Sequence, residues 1–473
     1  MKLEHIPEPR LRFATGEHIC PRHGIANFGV FDKIQAVRRT DLMVGAVGST
    51  ECLEALENWL ERCGKVIEAS PTNRQVNLFT AFCGFNKESG FGAGFVFGAD
   101  LSRTIRRSDI DNALAITSWK DRVTAVIDLY YENVKFLAQN RQVDVVVCVI
   151  PDRLHKRIAI EESVQTDETI EPAAEVSGEM NFRRALKARA MHLGKPLQLM
   201  RAVSLSSNTR GQQDNATKAW NFCTALYYKG GPTVPWKLPR DDSLPSSCAV
   251  GIAFYRNRDY SSLNTSLAQI FDELGNGLIL RGTPVNVGKN DWEPRLSSQQ
   301  AYDLLHAALS EYRIALRNYP ARVVVHKSSN FTPQEVDGFF QVANALHIDS
   351  MNFVTVLDSR LRLFRDGEYP PYRGTMVSFD KNRHLLYTKG SVWFYKTYPG
   401  MYIPQPLELR IVRSEESARF LAREILGLTK INWNNTQFDG KYPVTLGCAR
   451  KVGEIMKYLP DSERPQIRFG YYM

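Results

Sequence analysis

Hydrophobic and polar residues follow two repeating patterns along the chain, one typical of buried strands and the other of amphipathic helices. The segment at 41–64, DLMVGAVGSTECLEALENWLERCG, predicts a strand, a Gly-Ser-Thr turn and a helix with Leu53, Leu56 and Leu60 on its apolar face. Residues 108–140 have a helical pattern, and the segment at 143–151, VDVVVCVIP, which is apolar throughout after Asp144, is typical of a buried parallel strand. Strands and helices in alternation predict an α/β domain built on a parallel sheet.

The pattern changes near residue 240. The stretch at 231–247, GPTVPWKLPRDDSLPSS, is dense in Pro and Ser and predicts a domain boundary. Beyond it we expect strands at 248–259, 321–332 and 406–414, with helices between and after them, which favours a mixed α/β sheet. The predicted organisation is therefore an irregular lead-in (1–40), an α/β domain (41–240) and a second, mixed domain (241–473).

Length and composition limit the class of protein. A chain of 473 residues is too long for one ordinary core, and its 43% hydrophobic and 23% charged residues are typical of a globular protein. We find no uncharged apolar run long enough to cross a membrane and no apolar signal core at the N-terminus, so we expect a cytoplasmic protein with no membrane partner. The eight cysteines are scattered without C-x-x-C spacing, which predicts reduced thiols rather than a zinc or redox site.

The net charge adds a hypothesis about partners. The formal charge is +9 and the pI is about 9.0. A basic chain of this size favours a polyanionic partner, most often nucleic acid. A mildly basic protein without such a partner is an equally good interpretation of the charge alone.

A basic helix followed by a strand is the first group of residues that could carry chemistry. In the segment at 182–200, FRRALKARAMHLGKPLQLM, Arg183 and Lys187 share one helix face, Gln198 follows on a strand, and Lys229 ends the next helix. Cations and an amide that converge in this way could hold a phosphate. Spacing alone favours the simpler interpretation of a solvated helix face.

The second group consists of strand ends that carry few acids. Hydrolysis of a phosphodiester by two metal ions needs several carboxylates around the cations, and no such set can be assembled here. His326 is more simply a hydrogen-bonded histidine at a strand end than a metal ligand. The Asp366-Gly367 pair resembles an acidic site motif, but an Asp-Gly pair is expected in a hairpin turn.

Taken in order, these segments resemble the Argonaute family. The resemblance rests on the basic helix–strand–helix, LYYKGG with PWKL, VGIAF, VVHKSS, LTKINWNN, YPVTLGCARKVGEI and the tail RFGYYM. It covers residues 40–473 and is strongest from Phe182 onward. The length looks like that of a short prokaryotic Argonaute with no N-terminal or PAZ domain. The implied fold class is α/β, with a Rossmann-like MID domain followed by an RNase-H-like PIWI domain.

The resemblance implies a role for the basic helix. In the family, the MID domain holds the 5′ phosphate of a guide strand, and its binding positions fall on Arg183, Lys187, Gln198 and Lys229. The terminal carboxylate, here that of Met473, reaches the same pocket. A Mg²⁺ ion bound to the phosphate would then contact Gln198 and Met473. Arg183 stands where many members have an aromatic residue that stacks on the first base.

The resemblance also implies an inactive PIWI domain. The first, third and fourth catalytic positions of the family match Ala253, Ser328 and Arg450, none of which is a metal ligand, while the second position, a glutamate, cannot be placed. Two alternatives stay open. The chain could be an active endonuclease with displaced acids, or a small-molecule nucleotide-binding enzyme that uses the Gly-rich turn VGAVGST. The acids considered for the first alternative are Asp259, Glu335 and Asp366.

Short inactive Argonautes imply a partner protein. In such systems the Argonaute loads a guide RNA, pairs it with invading single-stranded DNA and activates an APAZ-containing effector. That effector is commonly a sirtuin-like or TIR-domain NADase, which depletes NAD in abortive antiviral defence. We therefore expect a heterodimer with the enzymatic activity in the partner; the sequence leaves open whether activation proceeds through oligomerisation.

Overall fold

The computed structural model spans the chain from Met1 to Met473. The structure describes all residues except 37, 160–179, 207–212, 232, 242, 257, 259–262, 272–276, 286–293, 368–369, 401, 439 and 461–462. The sequence at 161–180 is acidic and poor in large apolar residues, which predicts an exposed loop or insertion. Residues 161–179 of this segment and the acid Asp259 lie outside the described residues.

The first half of the chain forms an α/β unit around a parallel sheet. In the described residues the strand order is β5-β4-β7-β8, with β6 also paired to β4. Every pair is parallel, as the continuous apolar strands predict. The elements are β4 (Asp41–Gly48), α2 (Thr50–Cys63), β5 (Gly94–Val96), β6 (Ser102–Thr104), α3 (Arg107–Ala115), α4 (Trp119–Asn140), β7 (Val145–Ile150), α5 (Asp152–Ile158), α6 (Phe182–Ala190), β8 (Leu197–Arg201), α7 (Ala202–Leu205) and α8 (Asn215–Gly230).

Helices cover both faces of this sheet. Helices α2 and α8 pack on one face through the apolar residues that also contact the second half of the chain. Helices α3, α4 and α6 pack on the other. The predicted single helix at 108–140 is two helices, because Ile116 is extended and the Ser118 side chain accepts a hydrogen bond from the Asp121 amide at the start of α4.

The second half of the chain is built on a long mixed sheet. In the described residues its order is β1-β14-β15-β16-β13-β12-β9-β10-β11. Strands β9, β12 and β13 run parallel, and the other pairs are antiparallel. The elements are β9 (Ser247–Arg256), β10 (Leu263–Phe271), β11 (Gly277–Val285), α9 (Ser298–Leu316), β12 (Arg322–Lys327), α10 (Pro333–Leu346), β13 (Ser350–Asp358), β14 (Thr375–Ser378), β15 (Arg383–Leu386), β16 (Leu407–Arg413), α11 (Ala418–Leu428) and α12 (Val444–Met456).

The lead-in is more regular than its composition predicts. It contains β1 (Lys2–His5), β2 (Leu11–Arg12), β3 (Glu17–His18) and α1 (Pro21–Phe28), and β1 adds an antiparallel edge strand to the long sheet by pairing with β14. Glu8 then lies among the buried cations Arg373 and Lys430, at 3.0 and 3.1 Å. The prediction of an irregular lead-in was wrong because its order comes from pairing with distant residues.

The Asp366-Gly367 pair does not form a hairpin. The strands on either side, β13 and β14, are not neighbours in the sheet, because β13 pairs with β12 and β16 whereas β14 pairs with β1 and β15. Gly367 does adopt a left-handed conformation, with φ of 68°, which is the backbone freedom that the pair indicates. The pair therefore marks a turn inside a long connection.

Two further expectations concern the cysteines and the membrane. The eight cysteines form no disulfide, and burial raises the pKa of the Cys148 thiol to about 12. In the part of the chain that the structure describes, no helix has the length and apolar character needed to span a membrane.

Helix α12 lies against the long sheet at a distance that only a glycine permits. A Cβ atom on Gly251 of β9 would lie 2.3 Å from the carbonyl carbon of Thr445 and 2.8 Å from the amide nitrogen of Leu446. Backbone atoms cannot move aside as a flexible side chain can. Gly251 therefore sets the position of the whole helix, including Arg450.

This packing predicts the effect of a single methyl group. We expect Gly251→Ala to lower the free energy of unfolding by about 1–3 kcal/mol, because the added carbon overpacks against the α12 backbone. The measurement is urea unfolding followed by circular dichroism. The control is Gly447→Ala in α12, where a Cβ would meet nothing within 4 Å. That change should be neutral or stabilising by about 0.5–1 kcal/mol, and equal stabilities of the two variants would contradict the packing argument.

Candidate nucleic-acid site

Helix α6 carries the first lysine of the candidate site into the protein interior. The Asn181 side chain begins the helix by accepting a hydrogen bond from the Arg184 amide, and Phe182 and Leu186 anchor its apolar face. Lys187 is 7% exposed, and its Nζ donates a hydrogen bond to the main-chain oxygen of Met473. The last residue of the sequence therefore lies at the basic helix.

The second lysine ends helix α8. Lys229 is 2% exposed, and its Nζ donates hydrogen bonds to Gln198 Oε1 at 2.6 Å and to the carbonyl of Leu197 at 3.3 Å. Gln198 comes from β8, the strand that follows α6. The helix–strand–helix unit thus brings both predicted lysines and the predicted glutamine together.

The C-terminal tail closes this site. An ideal Cβ on Gly470 would be 3.8 Å from the Lys229 Cα atom, so the tail packs directly on the end of α8. Arg468 donates to the carbonyls of Tyr228 and Gly231. The hydroxyl of Tyr471 donates to the Gly194 carbonyl at 2.8 Å. These contacts hold Met473, 7% exposed, beside Lys187.

Several positively charged side chains lie close together in this site. Burial lowers the pKa of Lys187 well below its ordinary value, and the nearby charges of Lys229, Arg183 and Lys451 lower it further. Burial, with the charge of Arg183, lowers the pKa of Lys229 to about 7. In the described part of the chain neither lysine has an Asp or Glu close enough to raise its pKa. In the described residues, no Asp or Glu therefore offsets the positive charge of the site.

Arg183 occupies the outer side of the site. Its side chain is exposed, and its Nη2 donates to the Leu199 carbonyl at 3.3 Å. It lines a cleft of about 440 Å³ with His155 and Phe182 at the ends of β7 and β8. Arg183 and Lys187 are one helical turn apart on α6, but the Arg183 side chain is exposed whereas that of Lys187 is buried.

The predicted set of site residues lacked Lys451, which the structure places near Lys187 from helix α12 of the second half. Its charge contributes to the lowered pKa of Lys187. Lys451 directly follows Arg450, but no local pattern connects it to α6, which is about 260 residues earlier.

A second cleft, of about 570 Å³, is lined by Gln198, Lys218 and Asn434.

The Asn-Trp-Asn turn at 432–434 joins the two halves of the chain. Trp433 Nε1 donates to the Trp236 carbonyl at 3.0 Å, and Trp236 Nε1 donates to the Lys430 carbonyl at 3.0 Å. The Trp433 ring is 4.9 Å from that of Tyr228, the residue before Lys229. The turn therefore supports the end of α8 instead of presenting its tryptophan to solvent.

Ala253 and Ser328, which the family resemblance matched to catalytic positions, lie side by side, Ala253 within β9 and Ser328 directly after β12. Ala253 is buried in β9 among the apolar residues that contact α12. Lys327 of β12 pairs with Ile252 of β9, and the two strands are parallel. The next residues along the chain, Ser328 and Ala253, therefore lie beside each other. His326 is buried and hydrogen-bonded to Thr445 Oγ1 at 3.0 Å, and burial lowers its pKa to about 3, as expected for a structural histidine.

Arg450 lies in a small polar group near this edge. Its guanidinium is 4.4 Å from the centre of the Tyr442 ring. Tyr442 donates a hydrogen bond to Asp358 at the end of β13, and Lys441 forms an ion pair with the same carboxylate at 3.0 Å. Burial lowers the pKa of Arg450, and Asp358 opposes that shift.

The three acids considered for a displaced nuclease site have different surroundings. Glu335 is fully buried, forms an ion pair with Lys327 at 2.6 Å and accepts the Thr332 amide at the start of α10. Asp366 is exposed on the long connection after β13. Asp259 lies outside the described residues. Among the residues that the structure describes, no group of three or more His, Cys, Asp or Glu could hold a metal ion.

The Gly-rich turn after β4 is tightly packed. A Cβ on Gly48 would be 3.1 Å from Cys52 Cβ and 3.2 Å from the Val149 carbonyl oxygen. Ser49 accepts a hydrogen bond from the Cys52 amide and begins α2. These glycines and serine support strand–helix packing, so nothing in their contacts favours a nucleotide site.

Comparison with solved structures identifies the architecture. The chain matches Clostridium butyricum Argonaute, bound to a guide DNA and a 19-mer target DNA, with a TM-score of 0.67, 16% sequence identity and 99% of this chain covered. It matches Drosophila Piwi with a TM-score of 0.62 and 13% identity over 100% of this chain. The chain has an Argonaute-like fold. A third match is Marinitoga piezophila Argonaute in complex with a 5′ OH guide RNA, with a TM-score of 0.55, 12% identity and 100% coverage.

These likenesses are structural. No family model matches the sequence, and no curated protein matches it. The chain spans 54%, 56% and 59% of the length of the Clostridium, Drosophila and Marinitoga proteins. The two halves together have the predicted MID–PIWI type of fold, an α/β architecture with a parallel sheet, and we call them the MID and PIWI units below.

The lowered pKa of Lys229 predicts a pH dependence of stability. The unfolded lysine keeps its proton up to an ordinary pKa of about 10.4, whereas the folded lysine loses it near pH 7. Between these values the unfolded state binds more protons, so stability rises with pH. For the unloaded chain we expect a gain of about 1–3 kcal/mol in unfolding free energy from pH 7 to 9, measured by urea unfolding.

The lysine responsible can be tested directly. Lys229→Met should reduce this gain, because it removes the buried proton-binding group. Lys120→Met, on an exposed residue at the start of α4, should leave the gain unchanged. A gain that is equal in all three proteins would assign the pH dependence to other groups.

Proposed function

We propose that this chain binds the 5′ phosphate of a guide strand between α6, β8 and α8. The observation that carries the proposal is the pair of buried lysines, Lys187 and Lys229, which have no Asp or Glu partner in the part of the chain that the structure describes. A phosphate would supply the missing negative charge and accept hydrogen bonds from both ammonium groups. Gln198 and Arg183 lie next to these lysines and would contact the same group.

The structurally similar proteins support a role in guide binding. They also raise the question of which chemical group stands at the 5′ end of the guide. The Clostridium protein was solved with a guide DNA and a target DNA, and the Marinitoga protein with a 5′ OH guide RNA. The buried cations here favour a charged 5′ end. We propose an RNA guide that pairs with single-stranded DNA, so that base pairing supplies sequence specificity and the protein supplies backbone contacts.

The pocket also suits a Mg²⁺ ion bound to the guide phosphate. Gln198 Oε1 and the main-chain oxygen of Met473 are oxygen acceptors of the type that Mg²⁺ prefers, and each retains a lone pair besides the one that faces a lysine. These two groups would contact the ion together with phosphate oxygens. The ion would neutralise phosphate charge, and no catalytic step is assigned to it.

We propose further that the PIWI unit does not cut nucleic acid. Ala253 and Ser328 offer no carboxylate at the edge where β9 and β12 end. Arg450 would repel a divalent cation, and Asp358 is held by Tyr442 and Lys441. We assign no residue of this chain to the second catalytic position of the family, a glutamate on a mobile loop.

The biological role follows as part of the same proposal. A guide-loaded protein that does not cut can still report a match if pairing activates a second protein. We propose a separate APAZ-containing effector, a sirtuin-like or TIR-domain NADase, in a defence system that depletes NAD. Enzymatic activity would then belong to the partner of a heterodimer.

The lysine pair predicts a specific loss of guide binding. Lys187→Ala with Lys229→Ala should weaken binding of a 5′-phosphorylated RNA by about 100-fold, because two charge-assisted hydrogen bonds are removed. Binding of the matching 5′-hydroxyl RNA should change much less. The measurement is fluorescence anisotropy with guides labelled at the 3′ end.

The matched control is Arg189→Ala on the same helix. Arg189 is exposed and forms its ion pair with Asp128 on α4, away from the pocket. Arg189→Ala removes one positive charge without touching the site, so the affinity for the guide should stay the same. If the double variant folds, as judged by circular dichroism, and binds both guides like the unmodified chain, the pocket proposal is wrong.

Catalytic inactivity and partner activation predict a second outcome. The purified chain, loaded with guide and given a complementary DNA strand with Mg²⁺ or Mn²⁺, should leave that strand intact and should not consume NAD. When it is copurified with the effector, NAD should fall only after both guide and target are added. Metal-dependent cleavage by the chain alone would favour the alternative of an active endonuclease with displaced acidic residues. Loss of NAD in the absence of target would contradict the sensor role.

A further inference from the structure

Two aromatic side chains of the PIWI unit extend into solvent. Trp393 is 81% exposed and Phe364 is 77% exposed, although large aromatic residues are usually buried. Leu361 is 51% exposed on the same segment as Phe364. These residues lie outside the guide pocket, and the proposed function does not use them.

Trp393 is exposed on a turn that is firmly held. It begins a short 3₁₀ turn, Trp393–Tyr395. The next residue, Phe394, lies 5.1 Å from the rings of both His18 and His23, and its carbonyl accepts a hydrogen bond from Asn77 at 2.9 Å. Tyr395 is buried. The exposure of Trp393 is therefore built into an anchored turn and does not come from a frayed end.

The segment that carries Phe364 is anchored in the same region. The Leu363 amide donates to the buried hydroxyl of Tyr387 at 2.6 Å. The Arg365 guanidinium lies 3.7 Å from the centre of the Tyr372 ring, and that ring is 6.2 Å from Trp393. Tyr372 thus connects the two segments. We call this group the Tyr372 surface; its members are Arg360, Arg362, Phe364, Arg365, Tyr372 and Trp393.

The Tyr372 surface is positively charged. The segments 359–367 and 390–400 contain four basic residues, Arg360, Arg362, Arg365 and Lys396, and one acidic residue, Asp366. Arg360, Arg362 and Lys396 are exposed. Exposed arginines beside exposed rings favour an anionic ligand with flat apolar groups.

The position of the surface connects it to the edge where Ala253 and Ser328 lie. Strands β9, β12 and β13 are parallel, so their C-terminal ends share one edge of the sheet. The segment 359–365 begins directly after Asp358, the last residue of β13 and the partner of Tyr442. A strand that passes Arg450 could therefore continue onto the Tyr372 surface.

We propose that the Tyr372 surface binds single-stranded nucleic acid. Unpaired bases of any sequence would stack on Phe364 and Trp393, and Arg360 and Arg362 would contact the phosphates. The strand would be an unpaired part of the target beyond the guide duplex, and this assignment rests on the proposed function. The stacking itself does not depend on the guide pocket.

The test measures binding of a strand that cannot pair with the guide. The full chain is loaded with a 5′-phosphorylated guide, and a labelled 5′-hydroxyl oligothymidylate is titrated while anisotropy and tryptophan fluorescence are recorded. We expect saturable binding with quenching of tryptophan fluorescence. Phe364→Ala with Trp393→Ala should weaken binding about 10- to 100-fold and remove part of the quenching.

Two further variants separate stacking from charge and from general effects of surface changes. Arg360→Ala with Arg362→Ala should reduce the salt dependence of oligothymidylate binding, because fewer counterions are released. Ile314→Ala, a 66% exposed apolar residue on α9, should change neither quantity. Guide affinity should be the same in every variant, which also shows that each one is folded.

Several outcomes would overturn the proposal. Absence of oligothymidylate binding by the unmodified chain would do so, as would equal affinity of the Phe364/Trp393 variant and the Ile314 variant. Equal affinity of these two variants would instead indicate that the surface binds a protein partner. If the 5′-phosphorylated guide fails to bind, the proposed function is wrong, and the titration is repeated on the unloaded chain, where the same comparison of variants decides the fate of the Tyr372 surface.

Discussion

Two lysine ammonium groups buried close together are the constraint around which this protein is arranged. Removing an ammonium group from water is costly unless hydrogen bonds or opposite charge replace the lost hydration. Here Lys187 donates to the Met473 main chain, and Lys229 donates to Gln198 and the Leu197 carbonyl. These oxygens accept hydrogen bonds from the lysines, but burial lowers the pKa of both ammonium groups, and neighbouring positive charges lower it further. Such a site is arranged to accept an anion.

The same lysines explain why the two halves of the chain depend on each other. Met473 and Gly470 belong to the tail of the PIWI unit, yet they pack against Lys187 and Lys229 of the MID unit. The Trp433–Trp236 pair strengthens this junction from the other side of α8. A guide end bound at the lysines would therefore contact both units, and its presence would stabilise their junction.

In the PIWI unit, the positions that the family resemblance matched to catalytic residues hold Ala253, Ser328 and Arg450. Ala253 belongs to the apolar packing under α12, and Arg450 stacks on Tyr442 beside Asp358. Gly251 allows the close approach of α12 that produces this arrangement. The edge is thus a packed and partly basic surface, which suits contact with a nucleic-acid backbone.

Local patterns in the sequence were enough to predict the α/β class, most strands and helices of the MID unit, and the face shared by Arg183 and Lys187. These features depend on neighbours a few residues apart, so periodicity reveals them. Three features depended on residues far apart in sequence: the edge strand Lys2–His5, the role of Lys451 beside Lys187, and the absence of a hairpin at Asp366-Gly367. Strand partners and charge contacts of this kind are set by packing between distant segments, and therefore only the tertiary structure decided them.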